Sequence, residues 1–132
     1  MTLDPEAIHE KAKNYAAAWS SHDPVAVAAH YEADGHITIN DGAPTVGTEA
    51  IVATVQGFYD GFPDLIVRLD ELRSAGNRAL FCWTLTGTNL KTGNSIRIKG
   101  WEDWRLSDSN KVTESLGRFD AAEFERQVAE GI

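Results

Sequence analysis

Between Leu65 and Phe119 the chain reads as four strand-like runs in succession: Ile66 to Leu72, Ala79 to Thr88, Ser95 to Leu106 and Val112 to Phe119. Turn residues part them, Gly76-Asn77 in the first gap and Lys91-Thr92-Gly93-Asn94 in the second. β-Branched and aromatic residues suit a pleated, half-buried surface, and short connections join antiparallel neighbours, so these runs predict an antiparallel meander. A sheet of this kind must cover one face, and the first half of the chain carries the segments to do so.

Asp4-Pro5-Glu6 opens a helix with a capping acceptor, a preset φ and a carboxylate near the positive helix end. It should run to about Ser20, with Ile8, Ala12, Tyr15 and Trp19 on one face. Asp23-Pro24 starts a shorter helix, in which Val27, Ala28 and Tyr31 share a face before Asp34-Gly35 end it. In the next segment, His36 to Asn40, Ile37 and Ile39 alternate with polar residues as in a strand, and Asp41-Gly42-Ala43-Pro44 breaks it. A third helix, capped by Thr48, carries Ile51, Val55, Phe58 and Phe62 and stops at Gly61 and Pro63. The polar tail from Ala121 to Val128 predicts a short helix on the outside or over a pocket mouth. Helices gathered on one side of an antiparallel sheet make an α+β architecture, and 132 residues without a linker suit one domain, residues 1–132.

Composition narrows the partners. Hydrophobic residues are 42% and charged residues 24%, as in globular proteins, while a net charge of -8 with scattered Lys and Arg disfavours nucleic acid. The lone Cys82 cannot close an intrachain disulfide and fits reducing cytoplasm; the opening MTLDPEAIHEK lacks the pattern of a leader, and no run reaches membrane-spanning length. A cytoplasmic protein without a membrane partner is expected. His9, His22, His30 and His36 lack metal-ligand spacing, and there is no glycine-rich phosphate loop or serine elbow, so neither metal nor cofactor is expected.

Two acids break the sheet's pattern. Glu102 shares a row with Ile96, Ile98, Gly100, Trp104 and Leu106, and Glu114 shares one with Val112 and Leu116 on the following strand. The alternation puts both on one sheet face. A loop of Ser107 to Ser109 would set them directly opposite, about 5 Å apart at Cβ; a loop of Ser107 to Lys111 would set Trp104 opposite Glu114 and leave the acids diagonal, roughly 7 Å apart. Proximity and burial would then keep at least one protonated near neutral pH, ready to donate to a ligand oxygen. The alternative is a structural ion pair with Arg118 or another arginine. Trp83 and Trp104 face inward; with Tyr15, Trp19, Phe58 and Phe62 they could line a cleft for a small apolar ligand, although core packing accounts for these rings equally well.

The stretch from Tyr15 to Trp19, then HDPVAVAAHYEADGHITI, VGTEAIVATVQGFYDGFPDL and LFCWTLTGT, resembles the nuclear transport factor 2-like superfamily, particularly its SnoaL-like polyketide cyclase branch. The likeness spans nearly the whole chain. It implies a cone-shaped domain with a deep pocket, commonly homodimeric through the sheet, found in enzymes and in non-enzymatic binding proteins. Ketosteroid isomerases of the superfamily use a helix-one tyrosine and a protonated strand aspartate as donors, with an aspartate base in the first strand. By this resemblance Tyr15 and Glu102, in GWEDWRL, occupy the donor places, whereas the base place falls at or next to Ile39, which cannot accept a proton. SnoaL-like cyclases are similar in using an acid late in the sheet to protonate a carbonyl during aldol closure, without metal or cofactor. Asp120, after KVTESLGRF, is the nearest match, and it also stands where the last helix needs a cap. The Asp-Arg-Asp set of limonene epoxide hydrolase lacks its arginine in the Glu102 row. The resemblance implies a cofactor-independent cyclase or isomerase acting on an apolar carbonyl compound, with Glu102 as acid, Tyr15 as second donor and Glu114 or Asp120 as charge partner or base. The competing reading is a non-catalytic ligand-binding or dimer-scaffold protein.

Overall fold

The computed structural model describes residues 3–132; Met1 and Thr2 lie outside the described residues. Helix α1 (Pro5–Ser20) begins as its cap dictates, with the Asp4 carboxylate accepting from the Glu6 N–H at 2.9 Å. Its inward stripe holds Ile8, Ala12, Tyr15 and Trp19. Helix α2 (Pro24–Ala28) is capped by Asp23, which accepts from the Val25 and Ala26 N–H groups.

The next element differs from expectation. Strand β1 (Tyr31–Ile39) starts at Tyr31, so neither Tyr31 nor Asp34 belongs to a helix. Gly35 is no helix stop: an added Cβ there would press on the Val112 carbonyl oxygen, and the glycine serves a close strand approach where the pairing shifts between Tyr31 and His36. The two-residue β2 (Thr45–Val46), too short to read from its pattern, pairs with His36 and Ile37. Helix α3 (Thr48–Gly61) is capped by Gly47 at φ 90° without a side-chain bond, so Thr48 is its first residue rather than its cap. It buries Ile51, Val55 and Tyr59, and Tyr59 OH donates to the Trp19 carbonyl at 2.7 Å, tying α3 to α1.

Strands β3 (Ile66–Ala75), β4 (Arg78–Thr88), β5 (Ser95–Leu106) and β6 (Val112–Phe119) form the expected antiparallel meander. The sheet order is β2-β1-β6-β5-β4-β3. β1 lies parallel to β6, a pairing that requires the chain to cross over through α3 and the meander. Helices α1 and α3 fill the concave side with Tyr15, Ile8 and Ile51, against Phe81 and Trp104 from the sheet, all fully buried. Full burial of each such apolar side chain is worth roughly 1.5–3 kcal/mol. Phe81 stacks on Trp104 with ring centres 5.1 Å apart.

Helix α4 (Ala121–Glu130) closes the open end of the curved sheet. Asn94 Nδ2 donates to the Val128 carbonyl at 2.9 Å, and the Arg97 N–H donates to Gln127 Oε1 at 2.6 Å. Phe124 packs on Phe62 and Phe119. Among the described residues, no helix is long and apolar enough to cross a membrane.

Gly100 lets the Trp83 indole lie across β5, because a Cβ there would collide with both the indole and the Arg118 carbonyl oxygen. Gly100→Ala should therefore destabilise the fold by about 1–3 kcal/mol, read as a lower urea midpoint at unchanged m-value.

Candidate functional site

Strand β5 turns Ile96, Ile98, Gly100, Glu102, Trp104 and Leu106 inward, and all six are buried. The carboxylate in this row is 6% exposed. Glu102 Oε1 accepts from Ser115 Oγ at 2.7 Å, Trp104 Nε1 at 3.0 Å, Tyr15 OH at 3.0 Å and Tyr31 OH at 3.3 Å. Oε2 meets only Tyr15, at 3.1 Å, among the described residues. The two phenol oxygens lie 2.9 Å apart, so the Tyr31 proton has two acceptors within reach. The uneven crowding leaves Oε2 with the spare position for a proton or a ligand.

Burial pushes the Glu102 carboxyl above its usual range and outweighs the opposite pull of the Ser115, Trp104, Tyr15 and Tyr31 donors. The same burial, reinforced by Glu102, holds the Tyr15 and Tyr31 phenols well above theirs. Both tyrosines are therefore neutral donors.

A cavity of about 60 Å³ lies beside Glu102, several times the ~10–15 Å³ that one water needs. Trp19 and Phe58 border it from the helices, Ile37 and Ile39 from β1, Trp83 and Leu85 from β4, Phe119 from β6 and Phe124 from α4. Its walls are almost wholly apolar. Among the described residues, Glu102 and Arg118 are the only titratable groups on its border, and the Arg118 guanidinium binds Asp41 at 2.6 Å.

The structure redistributes several residues expected here. Glu114 does not share a face with Glu102. The turn is Ser107 to Lys111, but the pairing then shifts from Leu106↔Val112 to Arg105↔Glu114, with Thr113 as the extra residue of a bulge. One added residue reverses every later side chain. Glu114 thus faces outward, 3.2 Å from both Arg105 Nε and His36 Nε2, while Ser115 turns in to Glu102. Arg118 engages Asp41, so it does not neutralise the buried acid either.

Tyr15 stands behind Glu102 and does not border the main cavity; it faces an adjoining void of only about 10 Å³. Trp104 is likewise packed behind the acid, against Phe81 and Tyr15, and Phe62 is buried against Phe124, so neither lines the cavity. Trp19, Phe58, Trp83 and Ile39 do line it. Asp120 is exposed and caps α4, accepting from the Glu123 N–H at 3.0 Å. The residues that sequence reasoning passed over are Tyr31, Ser115, Phe119 and Phe124. Phe119 and Phe124 carried a faint signal, as isolated aromatics beside the final turn; Tyr31 and Ser115 were hidden by the misplaced helix end and the bulge.

Folding favours the neutral form of Glu102, whereas the unfolded chain loses that proton near pH 4.5. Above that value the folded state binds more protons than the unfolded one, so stability falls as pH rises toward the elevated folded pKa and then levels. Within that window the slope approaches ~1.4 kcal/mol per pH unit, the value for one proton. Glu102→Gln, with a neutral amide of like shape, should lose this slope in urea titrations of the two proteins between acid and neutral pH.

No curated protein matches the chain in sequence. Solved structures match its fold. A protein with a ketosteroid isomerase-like fold from Catenulispora acidiphila, in complex with trimethylamine, is 19% identical, with 92% of this chain and 90% of that one covered and a TM-score of 0.79. A protein described as a SnoaL-like polyketide cyclase from Jannaschia sp. CCS1 is 15% identical, with 100% and 99% covered and a TM-score of 0.84. TerC, co-crystallised with polyporic acid, is 16% identical, with 92% and 97% covered and a TM-score of 0.79. At these identities the likeness carries the fold alone. The family itself is shown by sequence: residues 12–115 match the model of the SnoaL-like domain, and the chain belongs to that family.

Proposed function

We propose that the protein binds a compact, largely apolar molecule through one carbonyl or hydroxyl oxygen, and that Glu102 acts on this oxygen as a proton donor in a cofactor-independent cyclisation or isomerisation. The observation that carries this reading is the imbalance at Glu102, a residue that borders an apolar hollow: Oε1 is crowded by four donors while Oε2 meets one. A neutral acid in such surroundings donates to a carbonyl oxygen as negative charge grows there. Tyr15 contributes by holding Glu102 rather than by reaching the substrate. The small ligands named with two structural neighbours, trimethylamine and polyporic acid, agree with a guest in this type of fold.

A non-catalytic binder is the second reading, and one observation favours it. Among the described residues the cavity holds no base to pair with the acid, since Glu114 faces outward and Asp120 caps a helix. A reaction here has to take its base from the substrate or from water. Screening a metabolite library against the wild type and Glu102→Gln separates the two. Turnover that drops by about 10²-fold or more in the variant with binding retained supports the acid; bound compounds that never turn over support the binder.

A cytoplasmic location, where the Cys82 thiol stays reduced, and a homodimer belong to the same reading. The outer sheet face exposes Trp101 and Leu116 on neighbouring strands. It also carries both charge signs, in the pairs Arg78–Asp103 and Arg105–Glu114, as a self-complementary twofold contact requires. Trp101→Glu should convert the dimer to a monomer in light scattering, with the fold unchanged by circular dichroism.

A further inference from the structure

On the far side of Trp104 from the cavity lies a second recess, of about 370 Å³, between α1, the end of α2 and the β5–β6 turn. Its floor holds Lys11, which is 6% exposed although it is a lysine. The Lys11 ammonium sits 5.8 Å from the centre of the Trp104 ring, donates to the His30 carbonyl oxygen at 2.9 Å and lies 3.2 Å from His30 Nδ1. An ammonium has only protons to give, so Nδ1 is the acceptor and the ring proton sits on Nε2. That leaves one of the three ammonium protons for the Trp104 face or for a partner in the recess. Among the described residues, no carboxylate comes within ion-pair distance of Lys11.

A cation removed from water without a counter-charge is unusual, because burial costs several kcal/mol unless an anion or full hydrogen bonding offsets it. Here burial and then the Lys111 charge lower the Lys11 pKa to about 8, against the attraction of Glu102. The same order of causes, burial first and then Lys11 and Lys111, lowers His30 to about 4, so its imidazole is neutral. Among the described residues the recess is bordered by two ammonium groups, Lys11 and Lys111, a neutral imidazole and, on the rim, one carboxylate, Glu10. Glu10 is largely exposed and leans on Lys13 at 3.6 Å.

We propose that this recess is a second ligand site, which takes a small carboxylic acid as its monoanion, with the carboxylate between Lys11 and Lys111. Charge sets the choice: two ammonium groups, Lys11 and Lys111, border the recess and favour an anion. A doubly charged phosphate meets Glu10 and finds neither an arginine fork nor free helix N–H groups, since α1 presents the Ala7 carbonyl here, bonded by Asn110 Nδ2 at 3.2 Å. The volume exceeds a bare ion, and Asn14 at the border offers its amide to a polar body attached to the acid.

Amide chemical shifts of the full chain titrated with acetate at low ionic strength and neutral pH test the site, with acetamide, sodium chloride and inorganic phosphate in parallel. Acetate should give saturable shifts confined to residues 7–14, 29–30 and 109–111, with a Kd on the order of millimolar. Acetamide and chloride should not reproduce them, and phosphate should bind more weakly. Lys11→Met should weaken acetate binding by about tenfold or more, and the exposed Lys111→Ala, which leaves the core untouched, by roughly three- to tenfold. The groups facing Lys11 are Glu10 on α1, His30 after α2, Lys111 on the turn and Glu102 beyond Trp104; acetate binding should weaken as Lys11 loses its proton above about pH 8. Shifts that follow ionic strength alone, tighter binding of phosphate, or acetate binding unchanged in both variants overturns the proposal.

Discussion

One carboxyl group joins most of this molecule's layers. Glu102 comes from β5, but the groups that satisfy it come from α1 (Tyr15), β1 (Tyr31), β6 (Ser115) and its own strand (Trp104). Without this acceptor the buried Ser115 hydroxyl, the Trp104 indole N–H and one of the two phenols, which otherwise have only each other, would be orphaned, at a cost of roughly 1–3 kcal/mol apiece. The helix layer is thus positioned on the sheet by a polar cluster as well as by apolar packing. Burial and hydrogen bonding act on the acid in opposite directions, and burial wins. The result is a site in which Tyr15, Trp104 and Ser115 are positioning residues, and only one edge of the carboxyl remains for chemistry.

The hollow follows from the sheet's curvature and from where bulk is omitted. Gly100 makes room for Trp83 on β5, and Gly117 lies directly across from Glu102 in the β5–β6 pairing. Large rings then ring the space without filling it: Trp19 and Phe58 on the helix side, Phe119 and Phe124 at the end closed by α4. Helix α4 is held by Phe124 and a few polar contacts, including Gln127 on the Arg97 N–H. It has fewer ties than α1, so this wall is the one whose opening costs least.

Regular alternation made Glu102 legible. Along β5 no residue is inserted, so inward and outward rows could be separated by counting, and the single acid among apolar neighbours stood out. Helix caps at Asp4 and Asp23, the meander and its turns were legible for the same reason: local chemistry determines them. What failed were features that depend on another part of the chain. The β1–β6 pairing pulls Tyr31 into a strand although its local sequence continues a helix-like pattern, and the bulge at Thr113 depends on how β6 meets β5. Both errors fell within the site, where Tyr31 and Ser115 were missed and Glu114 was misplaced. Phe62 and Trp104 were rightly read as buried, but a buried ring does not by itself border a void.

The Thr113 bulge has an evolutionary corollary. Because side chains on β6 obey a strict odd–even rule, moving that bulge to the far end of the strand with every residue kept would turn the strand over, presenting a carboxylate to the hollow where a hydroxyl now sits. Relatives that share this scaffold therefore acquire or lose a second acid when the bulge falls at a different place along this strand, without a series of point substitutions, and their reactivities differ abruptly although their backbones superimpose.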